Sequence, residues 1–481
     1  MISRRGVVLG SLLSVAAVGC TRRSESPRLI GPDSSEVFAR ERARQPARQA
    51  VVNARLQATP ATVDLGERVV ETWTYNGDLP GPTIRATAGD LLRVDVTNDL
   101  PAQTSIHWHG IALRNDMDGV PGLTQDPIDP EESFRYEFTV PDAGTYFFHS
   151  HSGVQLDRGL YGTLIVEDPD EPGGYDDEWV VVLDDWLDGT GRTPDDTLAT
   201  LLAQGDHAHR MPGMGGARTS VLGPGGDVDY PYYLINGRTS GTPATFTGKP
   251  GARIRLRIVN AAADTAFRVA LGGHRLTVTH SDGFPVSPVT TEALVVGMGE
   301  RFDALVDLGD GQFPLVAAAE GKTGAARAVV STAAGDASDG PVNELSGRVL
   351  LGTGLVGTEG SRLASRAIDR TLDIRLGGGM HDYRWTLNGA SFPDSEPLLI
   401  TAGERVRLRF RNQTMMFHPM HLHGHTVGLA STGARKDTVT MGPMSTLEVD
   451  VEADNPGQWA LHCHNAYHAE AGMMMVLGYR R

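Results

Sequence analysis

The sequence has little cysteine, no long apolar run beyond its first twenty residues, and few stretches with the periodicity of amphipathic helices. Only Cys20 and Cys463 occur in the 481 residues, so a framework of several disulfides is excluded. The N-terminal run is too short for a spanning helix and no other stretch is long and apolar enough, so the chain is not expected to cross a membrane through helices. The formal charge is −16, which disfavours nucleic acid as a partner and favours cationic ones.

The motif His462-Cys463-His464, followed by His468 and Met473, is the most informative stretch of the chain. A thiolate, a histidine and a weak axial thioether, completed by one more histidine, form the ligand set that distinguishes blue copper sites. Side chains alternate between the two faces of an extended strand. If Cys463 faces one metal, His462 and His464 face the other way, and one strand connects two metal centres.

Three further clusters contain the same His-x-His pair, at 107–109, 149–151 and 421–423. Each pair places two imidazoles on one face of a strand. Together with His462 and His464 they make eight imidazoles, and His418 remains to complete the blue site. With His418 and His468 of the blue site, ten of the sixteen histidines fall in this pattern, which indicates metal binding rather than chance.

These four motifs resemble the copper-binding signatures of the multicopper oxidases. Residues 115–123 (NDMDGVPGL), 148–153 (FHSHSG) and 467–473 (YHAEAGM) are similar to the bacterial copper-resistance branch of that family. The resemblance covers most of the chain from about residue 50 onwards. It implies an oxidase with dioxygen as electron acceptor and four copper ions per chain: one type 1, one type 2 and two type 3.

One pattern also recurs three times along the chain. Each copy has an Asn-Gly pair and then a segment of alternating apolar and polar residues, which is typical of a half-buried strand. The segments are 89–98, 251–260 and 403–412. Three copies predict an all-β protein of three homologous domains, and the family resemblance implies cupredoxin-like Greek-key β-sandwiches. The predicted domains are 51–168, 178–330 and 341–481.

Alignment of the copies indicates where metal ligands were kept. Nine residues beyond each segment's final asparagine stand His107, Val269 and His421. The middle copy therefore lacks the His-x-His pair, whereas the first and last copies have two pairs each. We expect a copper cluster shared between the first and last domains, with the middle domain as a spacer.

The resemblance implies a role for each ligand. A type 1 copper takes up electrons singly from the substrate, with Cys463 as the residue through which they pass, and a trinuclear cluster delivers four of them to dioxygen. The implied type 1 ligands are His418, Cys463, His468 and Met473. The implied type 2 ligands are His107 and His421. The implied type 3 ligands are His109, His149, His151, His423, His462 and His464.

Residues that supply protons are less completely determined. Asp118 is either the family's catalytic carboxylate near the cluster or a turn residue before a glycine. Some family members carry a glutamate immediately before the second type 1 histidine, where this chain has Tyr467, so a phenol or a water must serve there. Asp437 either lies at the edge of the type 1 histidine or pairs with Lys436 or Arg435.

The N-terminus is predicted to be a targeting segment. Ser3-Arg4-Arg5 before an apolar run resembles a twin-arginine signal, and residues 17–20 (AVGC) resemble a lipoprotein cleavage site. Residues 1–20 are then the signal, and residues 21–50 a tether. The protein is expected in the periplasm or cell envelope, with contact to the membrane only through a lipid on Cys20; ordinary signal cleavage is the alternative.

We therefore expect an exported, monomeric oxidase of Cu(I), and of Fe(II) or phenolic compounds, that contributes to copper resistance. The alternatives are a general phenol oxidase (laccase) without that role, a copper nitrite reductase, which needs no trinuclear cluster, and a copper-sequestering cupredoxin-like protein. Residues 207–214 (HAHRMPGM) contain thioethers that favour Cu(I). They form either a site that gathers cuprous ion or a flexible surface loop.

Overall fold

A computed structural model describes residues 28–171, 173–204, 220–335, 340–379 and 382–481. The predicted signal with Cys20, the start of the predicted tether and the loop at residues 207–214 lie outside the described residues. Within the described ranges, no helix combines the length and apolar character needed to cross a membrane. The helices are α1 (Ser35–Arg44), α2 (Pro194–Gln204) and α3 (Ala466–Glu470).

The part of the predicted tether that is described packs on the body of the protein. Val37 of α1 is buried, and the Glu41 carboxylate of the same helix accepts a hydrogen bond from the backbone N–H of Thr139 at 2.8 Å. Arg40 forms an ion pair with Asp454 at 2.7 Å. Helix α1 therefore connects residues that are more than 300 positions apart in the sequence.

The first unit is a sandwich of two four-stranded sheets, in the orders β2-β1-β4-β6 and β3-β8-β7-β5. Alternating burial along its strands follows the alternating apolar residues, as in LLRVDVTN of β4. The strands are β1 (Val51–Asp64), β2 (Val69–Tyr75), β3 (Gly81–Thr87), β4 (Leu91–Asn98), β5 (His107–His109), β6 (Ser133–Thr139), β7 (Gly144–His149) and β8 (Tyr161–Glu167).

The middle unit has two six-stranded sheets, in the orders β10-β9-β12-β17-β14-β15 and β11-β19-β18-β13-β16-β20. Its last strand lies beyond residue 341, so one of its sheets continues into the segment predicted to belong to the third domain. The strands are β9 (Asp177–Trp186), β10 (Tyr232–Ile235), β11 (Ala244–Thr247), β12 (Arg253–Asn260), β13 (Phe267–Leu271), β14 (Leu276–Ser281), β15 (Phe284–Thr291), β16 (Ala293–Val296), β17 (Arg301–Asp307), β18 (Gln312–Ala319), β19 (Ala325–Ser331) and β20 (Val349–Leu351).

The last unit combines a six-stranded sheet, β22-β21-β24-β29-β26-β27, with a five-stranded sheet, β23-β31-β30-β25-β28. One continuous hydrophobic core joins the last and middle units, whereas the first unit has a core of its own. The strands are β21 (Arg370–Gly378), β22 (Trp385–Leu387), β23 (Leu398–Ile400), β24 (Arg405–Asn412), β25 (His418–Leu422), β26 (Val427–Leu429), β27 (Arg435–Lys436), β28 (Thr438–Met441), β29 (Thr446–Glu452), β30 (Gln458–Cys463) and β31 (Met474–Tyr479).

The three units repeat the same asparagine contacts. At Asn98, Asn260 and Asn412 the buried side-chain amide donates to one backbone carbonyl of the following loop and to a second carbonyl at least 30 positions further along the chain, at 2.7 to 3.0 Å. A buried amide must be satisfied in this way, and the pair of bonds ties the loop after the strand to a distant segment of the same unit. In the first and last units that loop leads directly into the His-x-His strands β5 and β25.

Candidate metal centre

Strands β25 and β30 and helix α3 bring three of the predicted ligands together. Cys463 Sγ lies 3.5 Å from Nδ1 of His418 and 3.7 Å from Nδ1 of His468, and the two Nδ1 atoms are 3.2 Å apart. All three side chains are fully buried. We call these three residues the Cys463 cluster. Met473 is also buried, and its backbone carbonyl accepts from the Cys463 N–H at 3.0 Å.

Both imidazoles of the Cys463 cluster are oriented by a second contact. Nε2 of His418 is 2.8 Å from the Thr414 hydroxyl, and Nε2 of His468 is 2.8 Å from a carboxylate oxygen of Asp227. The Tyr383 hydroxyl donates to the same Asp227 oxygen at 2.9 Å. Such contacts fix the ring and leave Nδ1 as the nitrogen that can bind a metal.

The eight His-x-His histidines form a second group, the histidine cluster, between the first and last units. Antiparallel pairing places His107 opposite His149 and His421 opposite His462, so each unit presents two neighbouring pairs. Nε2 of His107 lies 3.3 Å from Nε2 of His421 across the interface. The members are His107, His109, His149, His151, His421, His423, His462 and His464.

Hydrogen bonds determine which nitrogen most of these rings present. Five rings have Nδ1 within 2.8 to 3.0 Å of an oxygen that only accepts hydrogen bonds, so Nδ1 carries the proton and Nε2 has the free lone pair. The five rings are His107, His149, His421, His423 and His462. His109 is reversed, because its Nε2 lies 3.0 Å from Asp437 Oδ1.

Several buried ring nitrogens have no hydrogen-bond partner among the described residues. They include Nδ1 of His109, Nε2 of His149, Nε2 of His151 and both nitrogens of His464. Unsatisfied buried polar atoms are rare and require an explanation. Imidazole nitrogens that converge on one space are the donors that copper prefers, and they fit a copper cluster here.

The protonation state of the rings agrees with metal binding. Burial, followed by the neighbouring imidazoles, holds the pKa values of five rings well below the usual histidine value. The five are His109, His149, His423, His462 and His464. Burial and His107 lower the pKa of His151 to about 3. These six rings are therefore neutral at physiological pH, as metal ligation requires.

Asp118 is a fully buried residue beside the histidine cluster. Its Oδ2 accepts from Nδ1 of His423 at 2.9 Å, and its backbone carbonyl accepts from Nδ1 of His107 at 2.8 Å. Oδ1 makes no hydrogen bond with the described residues. The carboxylate thus contacts a ring from the last unit while its backbone holds a ring from the first.

Asp437 does not make the contacts that either prediction gave it. Both predictions are wrong, because Asp437 contacts the histidine cluster and pairs with Arg301 at 2.6 and 2.7 Å, while Lys436 pairs with other carboxylates. Burial alone raises the pKa of Asp437, but Arg301, His109 and His421 outweigh it and hold that pKa well below the usual value. Arg301 has no signal in the sequence, because the middle unit has no ligand motif.

Tyr467 is buried and donates from its hydroxyl to Asp157 Oδ2 at 2.5 Å. Tyr230 of the middle unit donates to the same oxygen at 3.1 Å. The phenol at the position that interrupts the family pattern is therefore part of a buried contact among all three units.

Comparison with known proteins identifies this arrangement. Matches to the multicopper oxidase family cover residues 57–171, 177–335 and 368–480. The chain is 46% identical over 489 residues to the multicopper oxidase MmcO of Mycobacterium tuberculosis, covering 99% of this chain and 96% of that protein. It is 30% identical to copper resistance protein A of Escherichia coli, covering 88% of this chain and 93% of that protein.

Solved structures have the same fold. Fet3p, a multicopper oxidase that functions in iron import, superposes with a TM-score of 0.75 at 22% identity, over 89% of this chain and 90% of that one. A multicopper oxidase from Pseudomonas thermotolerans gives a TM-score of 0.70 at 27% identity, over 90% and 100%. The predicted all-β fold of three cupredoxin-like sandwiches is confirmed. This chain belongs to the bacterial copper-resistance branch of the multicopper oxidase family, and it is therefore a copper-containing oxidoreductase with dioxygen as electron acceptor.

Proposed function

We propose that this protein is an exported oxidase of Cu(I), and of Fe(II) or phenolic compounds, that reduces dioxygen to water. The Cys463 cluster with Met473 holds the type 1 copper, and the histidine cluster holds the other three. Within it, His107 and His421 are the type 2 ligands, and the remaining six histidines are the type 3 ligands. Bound copper supplies one-electron redox chemistry at both clusters and the binding of dioxygen at the second.

The connection between the two clusters through Cys463 supports this function most strongly. Cys463 Sγ lies against His418 and His468, while the backbone carbonyl of Cys463 accepts from Nδ1 of His462 at 2.9 Å. Nε2 of His462 lies 3.0 Å from Nε2 of His423. A single residue thus belongs to one cluster and hydrogen-bonds to a ring of the other, which suits the transfer of single electrons between them.

The Asp227 carboxylate is the proposed site of electron uptake. It binds Nε2 of His468, and its side chain is 14% exposed, whereas His468 itself is 0% exposed. A cleft of about 380 Å³ opens beside this end of the type 1 site and is lined by Tyr383, Asp382 and Glu470, among others. Carboxylates here favour a cationic donor such as Cu(I) or Fe(II) over an anionic one.

Reduction of one dioxygen to two waters consumes four electrons and four protons, so four one-electron donors are oxidised per dioxygen. Asp118 is the proposed proton carrier beside the histidine cluster. Its Oδ2 accepts from His423, and its Oδ1, which lies 3.3 Å from Nδ1 of His107 and makes no hydrogen bond with the described residues, is the proposed proton-carrying oxygen. A carboxylate held beside the histidine cluster by a hydrogen bond suits general acid catalysis.

The biological role is proposed from the relatives and from the N-terminal sequence. Similarity to proteins named copper resistance protein A supports a role in copper resistance, in which this protein would oxidise Cu(I). The twin-arginine and lipoprotein-like motifs at residues 3–5 and 17–20 support export and a place in the cell envelope.

Oxygen uptake by the purified, copper-loaded protein tests the proposal. We expect uptake with Cu(I) at four donor ions per dioxygen, and uptake also with Fe(II) or a phenol. Cys463→Ser is the matched control, and it should lose the blue colour and all oxygen uptake while keeping its fold, as measured by circular dichroism. Activity with the phenol alone would favour the laccase alternative, and activity with none of the donors would refute the proposal.

A further inference from the structure

We propose that Arg301, a residue of the middle unit, is a positioning residue for the copper cluster that reduces dioxygen. Through Asp437 it holds two histidines of the histidine cluster, so the middle unit is part of that site and not only a spacer. The inference rests on the copper assignment proposed above. It concerns residues for which neither the sequence motifs nor the similarities assign a role.

Arg301 connects all three units. It is 0% exposed, and its side chain donates to the Thr145 carbonyl of the first unit at 3.1 Å and to the Gly299 carbonyl of its own unit at 3.0 Å. Its two terminal nitrogens donate to the two carboxylate oxygens of Asp437 in the last unit at 2.7 and 2.6 Å. A bidentate guanidinium–carboxylate pair fixes both position and plane, which a lysine ammonium cannot reproduce.

Asp437 transmits this position to the copper ligands. Its Oδ1 is 3.0 Å from Nε2 of His109, in the first unit, and its backbone carbonyl accepts from Nδ1 of His421, in the last unit, at 3.0 Å. Because Nε2 of His109 binds the carboxylate, Nδ1 is the nitrogen left for copper, and it has no other partner among the described residues. Asp437 therefore selects the tautomer of His109, and Arg301 fixes Asp437.

Two further residues of the middle unit, Asp282 and Gly299, contact Asp437 or the histidine cluster. Asp282 accepts from the backbone N–H groups of Asp437 and Thr438, both at 3.2 Å. At Gly299 an added Cβ would lie 2.9 Å from carbon atoms of both His109 and His464, so the backbone there lies directly against the rings. The middle unit thus contacts the histidine cluster by an ion pair, by hydrogen bonds and by packing.

The test compares copper binding in three variants of the full-length protein. Arg301→Lys keeps the charge and removes the bidentate geometry. Arg301→Met with Asp437→Asn removes both charges together, so that no unpaired ion is buried if the single variant fails to fold. The matched control is Arg268→Lys, because Arg268 makes an equivalent pair with Glu320 in the same unit, at 2.7 and 2.9 Å.

Loss of a contact that orients a ligand typically lowers metal affinity about 10–100-fold. We expect that loss for the three coppers of the histidine cluster in both Arg301 variants, measured by chelator competition and by copper per chain, with an altered type 2 electron paramagnetic resonance signal. The blue type 1 absorption should persist, and the Arg268→Lys control should match the wild type.

Either Arg301 variant with four coppers, wild-type affinity and an unchanged type 2 signal would overturn the inference. A wild-type protein that itself fails to bind four coppers would instead refute the proposed copper assignment.

Discussion

Most of the proposed ligand imidazoles have one ring nitrogen held by a neighbouring group and the other left for copper. In the Cys463 cluster, Thr414 and Asp227 occupy Nε2 and leave Nδ1, whereas most rings of the histidine cluster have Nδ1 occupied and Nε2 left. Which nitrogen remains for the metal is set by the position of the neighbouring oxygen, because all of these ligands are the same imidazole. At the scale of single residues, ligand geometry therefore depends on neighbours that carry no metal-binding signature.

Gly299→Ala is predicted to disturb the histidine cluster by packing alone. The alanine Cβ would lie 2.9 Å from His109 and His464 at a backbone φ of +81°, so both rings must move. We expect fewer than four coppers per chain with the type 1 absorption intact, measured by mass spectrometry and visible spectroscopy.

Gly77→Ala separates this effect from backbone strain. Gly77 has a similar φ of +84°, and nothing lies within 4 Å of its added Cβ. Both variants lose about 1–2 kcal/mol of stability from the left-handed backbone, but only Gly299→Ala should lose copper. Equal copper content in the two variants would contradict the packing argument.

Single residues also mark the limit of prediction from sequence. The His-x-His pairs were visible because both members lie on one strand, two positions apart. Arg301 and Asp437 are 136 positions apart, and their pairing depends on how the middle unit docks. Nothing in a local pattern distinguishes Arg301 from the other arginines of the middle unit's strands, so only the folded chain identifies it.

At the scale of elements, strand β30 and helix α3 each position part of the C-terminal motif. The strand sends His462 and Cys463 to opposite faces, and the short helix brings His468 back to Cys463. The helix is held at its N-terminus by Asn465, whose side-chain oxygen accepts from the N–H groups of Tyr467 and His468, both at 3.1 Å. A helix of five residues has little stability of its own, so this cap controls the position of His468.

Asn465→Ala is predicted to weaken the type 1 site selectively. Loss of an N-cap costs about 1 kcal/mol, and here that cost falls on the helix that carries His468. We expect a broadened type 1 electron paramagnetic resonance signal and faster loss of the blue colour to a chelator. Asn465→Ser keeps a capping oxygen and should recover most of the wild-type behaviour. Identical behaviour of the two variants would show that the cap has no such role.

The strands themselves were largely predictable. The segments 89–98, 251–260 and 403–412 contain β4, β12 and β24, because strict apolar–polar alternation is a local property. The end of the middle sheet was not predictable in the same way. Strand β20 has only three residues, and it is a strand because β16 pairs with it, which no local pattern reveals.

For the whole molecule, the net charge of −16 predicts a difference between classes of electron donor. Long-range attraction raises the association rate of cations, and salt removes it as the Debye length falls from about 30 Å at about 0.01 M to about 8 Å at about 0.15 M. The kcat/KM for Fe(II) should therefore fall across this range, whereas that for a neutral phenol should remain constant. A parallel response of both donors in steady-state oxygen uptake would exclude electrostatic steering.

The contact that joins all three units at Asp157 predicts how stability depends on pH. The carboxylate accepts from Tyr467 of the last unit and Tyr230 of the middle unit, and burial, followed by Asp185, raises its pKa well above the usual value. The folded state then keeps a proton that the unfolded chain releases. Stability therefore falls as pH rises above the ordinary carboxyl pKa, by up to about 1.4 kcal/mol per pH unit, until the raised pKa is passed.

Asp157→Asn should remove this contribution, because the amide is neutral at every pH and its oxygen still accepts from both tyrosines. We expect near wild-type stability in mild acid and a shallower decline toward alkaline pH, measured by urea unfolding at a series of pH values. Asp126→Asn at an exposed position is the control and should leave the slope unchanged. An Asp157→Asn variant that declines as steeply as the wild type would show that this carboxyl does not hold its proton when the three units assemble.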